Sequence, residues 1–241
     1  MAEPVHVLEV HHFERQIHGH PVIRVDHLTL PAGETLAVIG LTEAVAEVLL
    51  HHLTGRFLPD AGEIRLFGVR TADIHHEDEW FPLLRRIGLY DPRLPLMEEW
   101  PVRVTLIATF AMDWSTPLDA QCEREIAALA RRVGLSAADL DRPMQLADDR
   151  IRMRIHLARA IAFRPDWLIL FYPTERLAEP IRIEFGRLIR KICRDMAVLW
   201  FTRDERLAAW VCDRVVHLDP HTGTVQERFR RRRWRFRWVF K

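Results

Sequence analysis

Residues 33–55 read GETLAVIGLTEAVAEVLLHHLTG, and this stretch decides the fold. Thr35-Leu-Ala-Val-Ile39 is a short, continuous apolar run, the pattern of a strand buried on both faces of a parallel sheet. Gly40 ends it. From Glu43 to Leu53 the apolar positions Val45, Val48, Leu49, Leu50 and Leu53 fall at helical spacing, and Gly55 is placed to close the helix. A buried strand, a glycine and a helix in succession are the local signature of an α/β sheet.

The same alternation continues on both sides. Upstream, 5–10 (VHVLEV) and 22–30 (VIRVDHLTL) alternate apolar and polar residues as half-buried strands do, and 63–67 reads as another strand ending at Gly68. Residues 85–90 resemble a strand, and the proline-studded 91–101 reads as a loop. Helices are expected over 102–112, 118–133, 148–162, 181–195 and 205–212. Trp167–Tyr172 and Ala197–Phe201 are two further buried-type strands, and Arg214–Leu218 is the last. Buried strands interleaved with helices predict a mainly parallel sheet.

The chain has 241 residues, 49% hydrophobic and 29% charged, enough apolar material for one large or two small domains and too much for a disordered chain. No apolar run reaches the roughly 18 residues that a spanning helix needs. The opening Met1-Ala-Glu-Pro-Val-His6 lacks the character of a signal peptide. Three scattered cysteines without C-x-x-C spacing point to a reducing compartment. The expected location is therefore cytosolic. A net charge of +1 hides an asymmetry, because residues 228–241 (RFRRRRWRFRWVFK) carry eight basic side chains, five aromatics and no acid.

Four ordered segments resemble the ATP-binding cassette of ABC transporters: LTLPAGETLAVIG (28–40), LLHHLTGRFLPDAGEIRLFG (49–68), HLARAIAFRPDWLILFYPT (156–174) and VLWFTRDERLAAWVCDRVVHL (198–218). They resemble, in order, the strand leading to the Walker A loop, its helix with the following hairpin, the stretch through Walker B, and the strands around the H-loop. The resemblance implies a RecA-like, P-loop-NTPase-type α/β core with a mainly parallel sheet, an antiparallel β edge and an inserted helical subdomain. The expected division is 1–90 for the first part of the core, 91–155 for the helical subdomain, 156–225 for the rest of the core, and 226–241 for a basic aromatic tail.

Residue by residue, the resemblance implies a degenerate site. A phosphate loop G-x-x-x-x-G-K-[ST] wraps phosphates in backbone N–H groups, neutralises them with lysine and holds Mg²⁺ through its hydroxyl. Here the loop starts at Gly40, with Val45, Ala46 and Glu47 at the glycine, lysine and hydroxyl positions. A carboxylate at Glu47, about 4 Å from a phosphate in an effective dielectric of about 20, costs on the order of 4 kcal/mol per charge pair. Phe171 and Tyr172 stand where Walker B carries its aspartate and glutamate, and Arg203 stands at the H-loop histidine. No glutamine occurs between Gln16 and Gln121 to serve the Q-loop, and Asp148 and Asp149 lie in the signature region.

The expectation drawn from this subtraction is a catalytically inactive cassette subunit, structural or regulatory in a membrane transport complex, with neither ATP nor Mg²⁺ as a cofactor. The alternative is an ABC transporter ATPase subunit that binds or hydrolyses ATP only within a heteromeric complex. The partners implied are a membrane-embedded transporter subunit, contacted through Tyr90, Trp100 and Trp114 with Trp80 nearby, and a second cassette as homo- or heterodimer. The chain is then cytoplasmic and peripheral, at the inner face of the membrane.

In the tail, Arg230, Arg231, Arg232, Arg233, Trp234, Arg235, Phe236, Arg237 and Trp238 form a cationic, aromatic strip. Such a strip suits an anionic bilayer surface or an anionic partner, and by the same chemistry nucleic acid. The resemblance favours the membrane. The cluster His75-His76-Glu77-Asp78-Glu79 reads as a solvated acidic loop in preference to a metal site.

Overall fold

The computed structural model describes residues 6–19, 21–110, 120–194 and 196–231. Trp114 and residues 232–241, which include most of the basic tail, lie outside the described residues. The central six-stranded sheet runs β10-β9-β3-β8-β7-β6. Here β3 is Thr35–Ile39, β6 Ile87–Tyr90, β7 Trp167–Phe171, β8 Ala197–Phe201, β9 Arg214–Leu218 and β10 Val225–Arg230. All neighbours are parallel except β10, which pairs antiparallel with β9. A second, antiparallel sheet has the order β2-β1-β4-β5, from β1 (His6–Arg15), β2 (Ile23–Pro31), β4 (Ala61–Leu66) and β5 (Val69–Arg70).

The side-chain period of two sorts the central strands into two cores. Leu36, Val38, Ile169, Phe171, Leu199 and Phe201 face the antiparallel sheet and helix α1 (Glu43–Leu53). Ala37, Leu168, Leu170, Val198 and Trp200 face the helices on the other side. Those helices include α3 (Val102–Phe110), α4 (Ala120–Val133), α6 (Asp149–Ile161), α7 (Glu179–Ile192) and α8 (Glu205–Val211), while α2 (Glu77–Leu84) and the short α5 (Ala137–Asp141) complete the chain. Every residue of β3, β7 and β8 is buried, which accounts for their unbroken apolar sequences. No helix among the described residues is long and apolar enough to cross a membrane.

Two expectations change here. Residues 77–79 form the first turn of α2, where the Glu79 carboxylate accepts the His75 backbone N–H at 3.0 Å. Among the described residues no group of three or more His, Cys, Asp or Glu side chains is placed to hold a metal. The sheet also reaches into the stretch expected as tail, because β10 takes in Val225–Arg230.

His156 on α6 is 8% exposed and packs against the Tyr90 ring, and burial lowers its pKa to about 4. An unfolded histidine takes up its proton near pH 6.5, so between pH 6.5 and 4 the unfolded chain holds more protons at this position than the folded one. Stability contributed by the neutral ring is complete above pH 6.5 and falls as the pH drops. At pH 5 the loss is about 2 kcal/mol. Urea denaturation at pH 7 and pH 5 should show that much extra acid sensitivity in the wild type over His156→Gln; equal sensitivity would place the ring in water.

Candidate functional site: a polar ring around the loop after β3

The site lies where β3 and β7 end against the start of α1. Gly40 turns the chain with φ +95°, and the Thr42 hydroxyl caps α1 by accepting the Val45 N–H at 3.4 Å. Ala46 is fully buried against the core between the sheets, whereas Glu43 and Glu47, one turn apart, reach the surface. Val45 is half-buried.

Two arginines from other loops meet these two glutamates. Arg93, three residues beyond β6, donates to Glu47 at 3.0 and 3.4 Å and to the 5% exposed Asp91 at 3.0 and 2.8 Å. Its guanidinium lies 4.4 Å from the centroid of the Phe171 ring. Hydrogen bonding to Asp91, and then to Glu47, raises its pKa above the usual arginine value. Arg203, after β8, donates to Glu43 at 3.3 Å and sits 5.4 Å from the Tyr172 ring centroid. Its backbone N–H donates to Glu175 at 3.0 Å, which also accepts the Thr202 hydroxyl and so fixes the loop.

Tyr172 ties the halves together. It has φ +44°, and its hydroxyl donates to the Leu41 carbonyl at 2.8 Å, joining the end of β7 to the loop after β3. Burial raises the phenol's pKa, which keeps it a donor. The structure thus brings Gly40, Glu47, Phe171, Tyr172 and Arg203 to one place, with Val45 and Ala46 beside them. Sequence reasoning missed Arg93, Asp91, Glu43 and Glu175. Arg93 carried no signal, because it stands in a proline-rich loop that matches no pattern.

The other candidates fall elsewhere. Tyr90, expected at a partner surface, is 1% exposed and packs edge-on against Phe185 at 5.3 Å, so its ring offers no surface. Trp80 is half-buried, with its indole N–H donating to the Thr54 carbonyl at 3.3 Å. Trp100 is 46% exposed. Asp148 is the N-cap of α6, accepting the Ile151 N–H at 2.9 Å.

Two guanidinium groups stand by the first turn of α1, and each must leave a glutamate there before it can meet the phosphate chain of a nucleotide. The nearby carboxylates Glu47 and Asp91 both bind Arg93.

Comparison with known proteins makes the class plain. No family model matches the chain. It is 27% identical over 195 residues to the thiamine import ATP-binding protein ThiQ of Jannaschia sp. (strain CCS1), covering 80% of this chain and 81% of that one. Other curated relatives, 26–30% identical, are also named as ATP-binding proteins, but are longer, and the chain spans 54–66% of their length. Among solved structures, CbiO1 of Clostridium perfringens, part of an ABC transporter complex, superposes with a TM-score of 0.77 at 18% identity, over 90% of this chain and 86% of that one. A dimeric ATP-binding cassette bound to ADP and Pi superposes at 0.72 with 16% identity, over 89% and 95%. The chain has the fold of the ABC ATP-binding cassette, and its sequence relatives are ATP-binding proteins of ABC transporters.

This overturns the expectation of an inactive subunit without nucleotide or Mg²⁺. Relatives over most of the chain are named as import ATP-binding proteins, and the loop, helix and strand ends that frame the site are all in place. The physical reason for the error is specific. In the sequence Glu47 reads as an unopposed carboxylate, whereas in the fold Arg93 neutralises it.

Proposed function

We propose that this chain is an ABC transporter ATPase subunit that binds or hydrolyses ATP within a heteromeric complex. The observation that carries the reading is the ring of Arg93, Arg203 and Tyr172 around the loop after β3, set in a cassette fold whose relatives are named for binding ATP. Ala46 stands at the position of the loop lysine and offers no cation. The arginines act in its place, and a partner cassette completes the site.

In this reading the transporter's membrane-embedded subunit docks on the loop at 91–101, where Leu94 and Trp100 are 40% and 46% exposed. Trp114, expected from the sequence to take part, lies outside the described residues. Residues 91–155 act as the helical subdomain between the two parts of the core, 1–90 and 156–225. The complex sits at the cytoplasmic face of the membrane, and the basic aromatic residues Arg232 to Trp238 supply the attraction to anionic headgroups, at about 1 kcal/mol per arginine, while Arg230 pairs with Glu227 and Arg231 donates to the Trp210 carbonyl. Gly40, Val45, Glu47 and Arg203 are then the nucleotide-facing positions, with the buried Ala46, Phe171 and Tyr172 behind them.

The test is reconstitution. The chain should co-purify with a second cassette and a membrane subunit, and that assembly should bind ATP. Removing this chain should drop turnover at least tenfold. An assembly that binds no ATP, or whose turnover is indifferent to this chain, would sink the reading.

A further inference from the structure

We infer that Arg93 and Arg203 are the polyphosphate-binding cations of this chain, and that Glu43 and Glu47 hold them in reserve as a built-in lock. The inference rests on the nucleotide reading above and adds to it the residues and the regulation.

Three features carry it. The two guanidiniums come from loops far apart in sequence, after β6 and after β8, yet both end on α1 within one helical turn. Each also lies against an aromatic ring at the head of β7, Phe171 at 4.4 Å and Tyr172 at 5.4 Å, so each is positioned from two sides. The two carboxylates are surface groups, with Glu43 38% and Glu47 44% exposed, and ion pairs in such a setting are worth little. A triphosphate brings several acceptor oxygens and more negative charge than one carboxylate, and arginine's planar fork suits it. The exchange of partner is therefore downhill once a polyphosphate arrives.

Arg93 and Arg203 respond differently. Arg93 keeps its bonds to the buried Asp91 and gives up only Glu47, so its position survives the exchange. Arg203 is 58% exposed and held by Glu43 and the Tyr172 ring alone of the groups named here, so it gives up its carboxylate with less to anchor it. Until the exchange occurs, the two glutamates hold both guanidiniums and keep them from a phosphate. That accounts for a chain that needs a partner cassette before it holds nucleotide.

The experiment uses the full chain by itself, with inorganic tripolyphosphate and then ATP as probes, and titration calorimetry as the readout. Glu43→Gln/Glu47→Gln should bind tripolyphosphate at least tenfold more tightly than the wild type. Adding Arg203→Ala should remove most of that gain, and adding Arg93→Ala should remove the rest. Arg203 is exposed enough to lose its side chain without unfolding the protein, so it carries the test even where Arg93→Ala fails to fold. No tightening in the glutamine variant, or a gain that persists without both arginines, overturns the inference.

The two readings fail separately. A locked site that opens as described, in an assembly that never uses ATP, refutes the transporter role alone. An assembly that uses ATP, with glutamine variants binding tripolyphosphate no better than the wild type, refutes the lock alone.

Discussion

Trp200→Ala should cost about 3–5 kcal/mol of folding stability, the range for removing a large aromatic from a packed core. Trp200 is fully buried in β8, a strand with a parallel neighbour on each side, β3 and β7. Its ring stands edge-on to Phe185 of α7 at 5.7 Å, so the helical layer rests on it. Two facing positions across the sheet, Ala37 and Leu170, cannot expand to fill the space. The indole N–H has no hydrogen-bond partner among the described residues, so part of what the ring gains by burial is offset by an orphaned donor. Trp200→Phe removes that donor and keeps an aromatic face, and should cost less than half as much. Urea unfolding of the three proteins decides it. A loss below 1 kcal/mol in Trp200→Ala would mean that α7 closes over the gap and that the layer is not held here.

The central strands were legible because burial on both faces leaves an unbroken apolar run between turn residues. Thr35–Ile39, Ala197–Phe201 and Arg214–Leu218 appear in the structure with the bounds read from sequence, as does α1 with its closing Gly55 at φ +72°. Elements without a buried face were not legible. Helix α2 fully buries none of its residues and carries Pro82, so its short stripe of Trp80, Leu83 and Leu84 is a weak signal. Strand β10 exists because β9 offers a free edge to pair with, a tertiary fact that the alternating charges of VQERFR do not encode.

The candidate site divides in the same way. Positions along the resembling motif, Gly40, Glu47, Phe171, Tyr172 and Arg203, lie near one another in the structure, because loops at the ends of parallel strands all open toward one edge of the sheet. What each residue does there depends on which charges come from elsewhere. Glu47 reads as repulsive until Arg93 is seen 3.0 Å away, brought from 46 positions along the chain. Tyr172 reads as the loss of a carboxylate until its hydroxyl is seen on the Leu41 carbonyl. Summing substitutions one position at a time treats each as solvated and alone, and at this site neither holds.

Gly40→Ala should be the most damaging small change at the site. A residue other than glycine at φ +95° costs about 1–2 kcal/mol in backbone strain alone. The new Cβ would also stand 2.7 Å from the Leu218 carbonyl oxygen and 2.7 Å from His217 Nε2, in β9. The histidine contact is with the end of a side chain; the carbonyl belongs to a paired strand and cannot move aside. Overpacking of this kind adds about 1–3 kcal/mol, for a total of roughly 2–5 kcal/mol. The protein relieves that strain most cheaply by lifting the loop off β9, which pulls Leu41 from Tyr172 and loosens the start of α1. Hydrogen exchange should therefore speed up at Thr42–Glu47 well before it does in β7 or β8. Uniform acceleration across the sheet would show the glycine serving global packing, and no change in stability would show that the loop approaches β9 less closely than 2.7 Å requires.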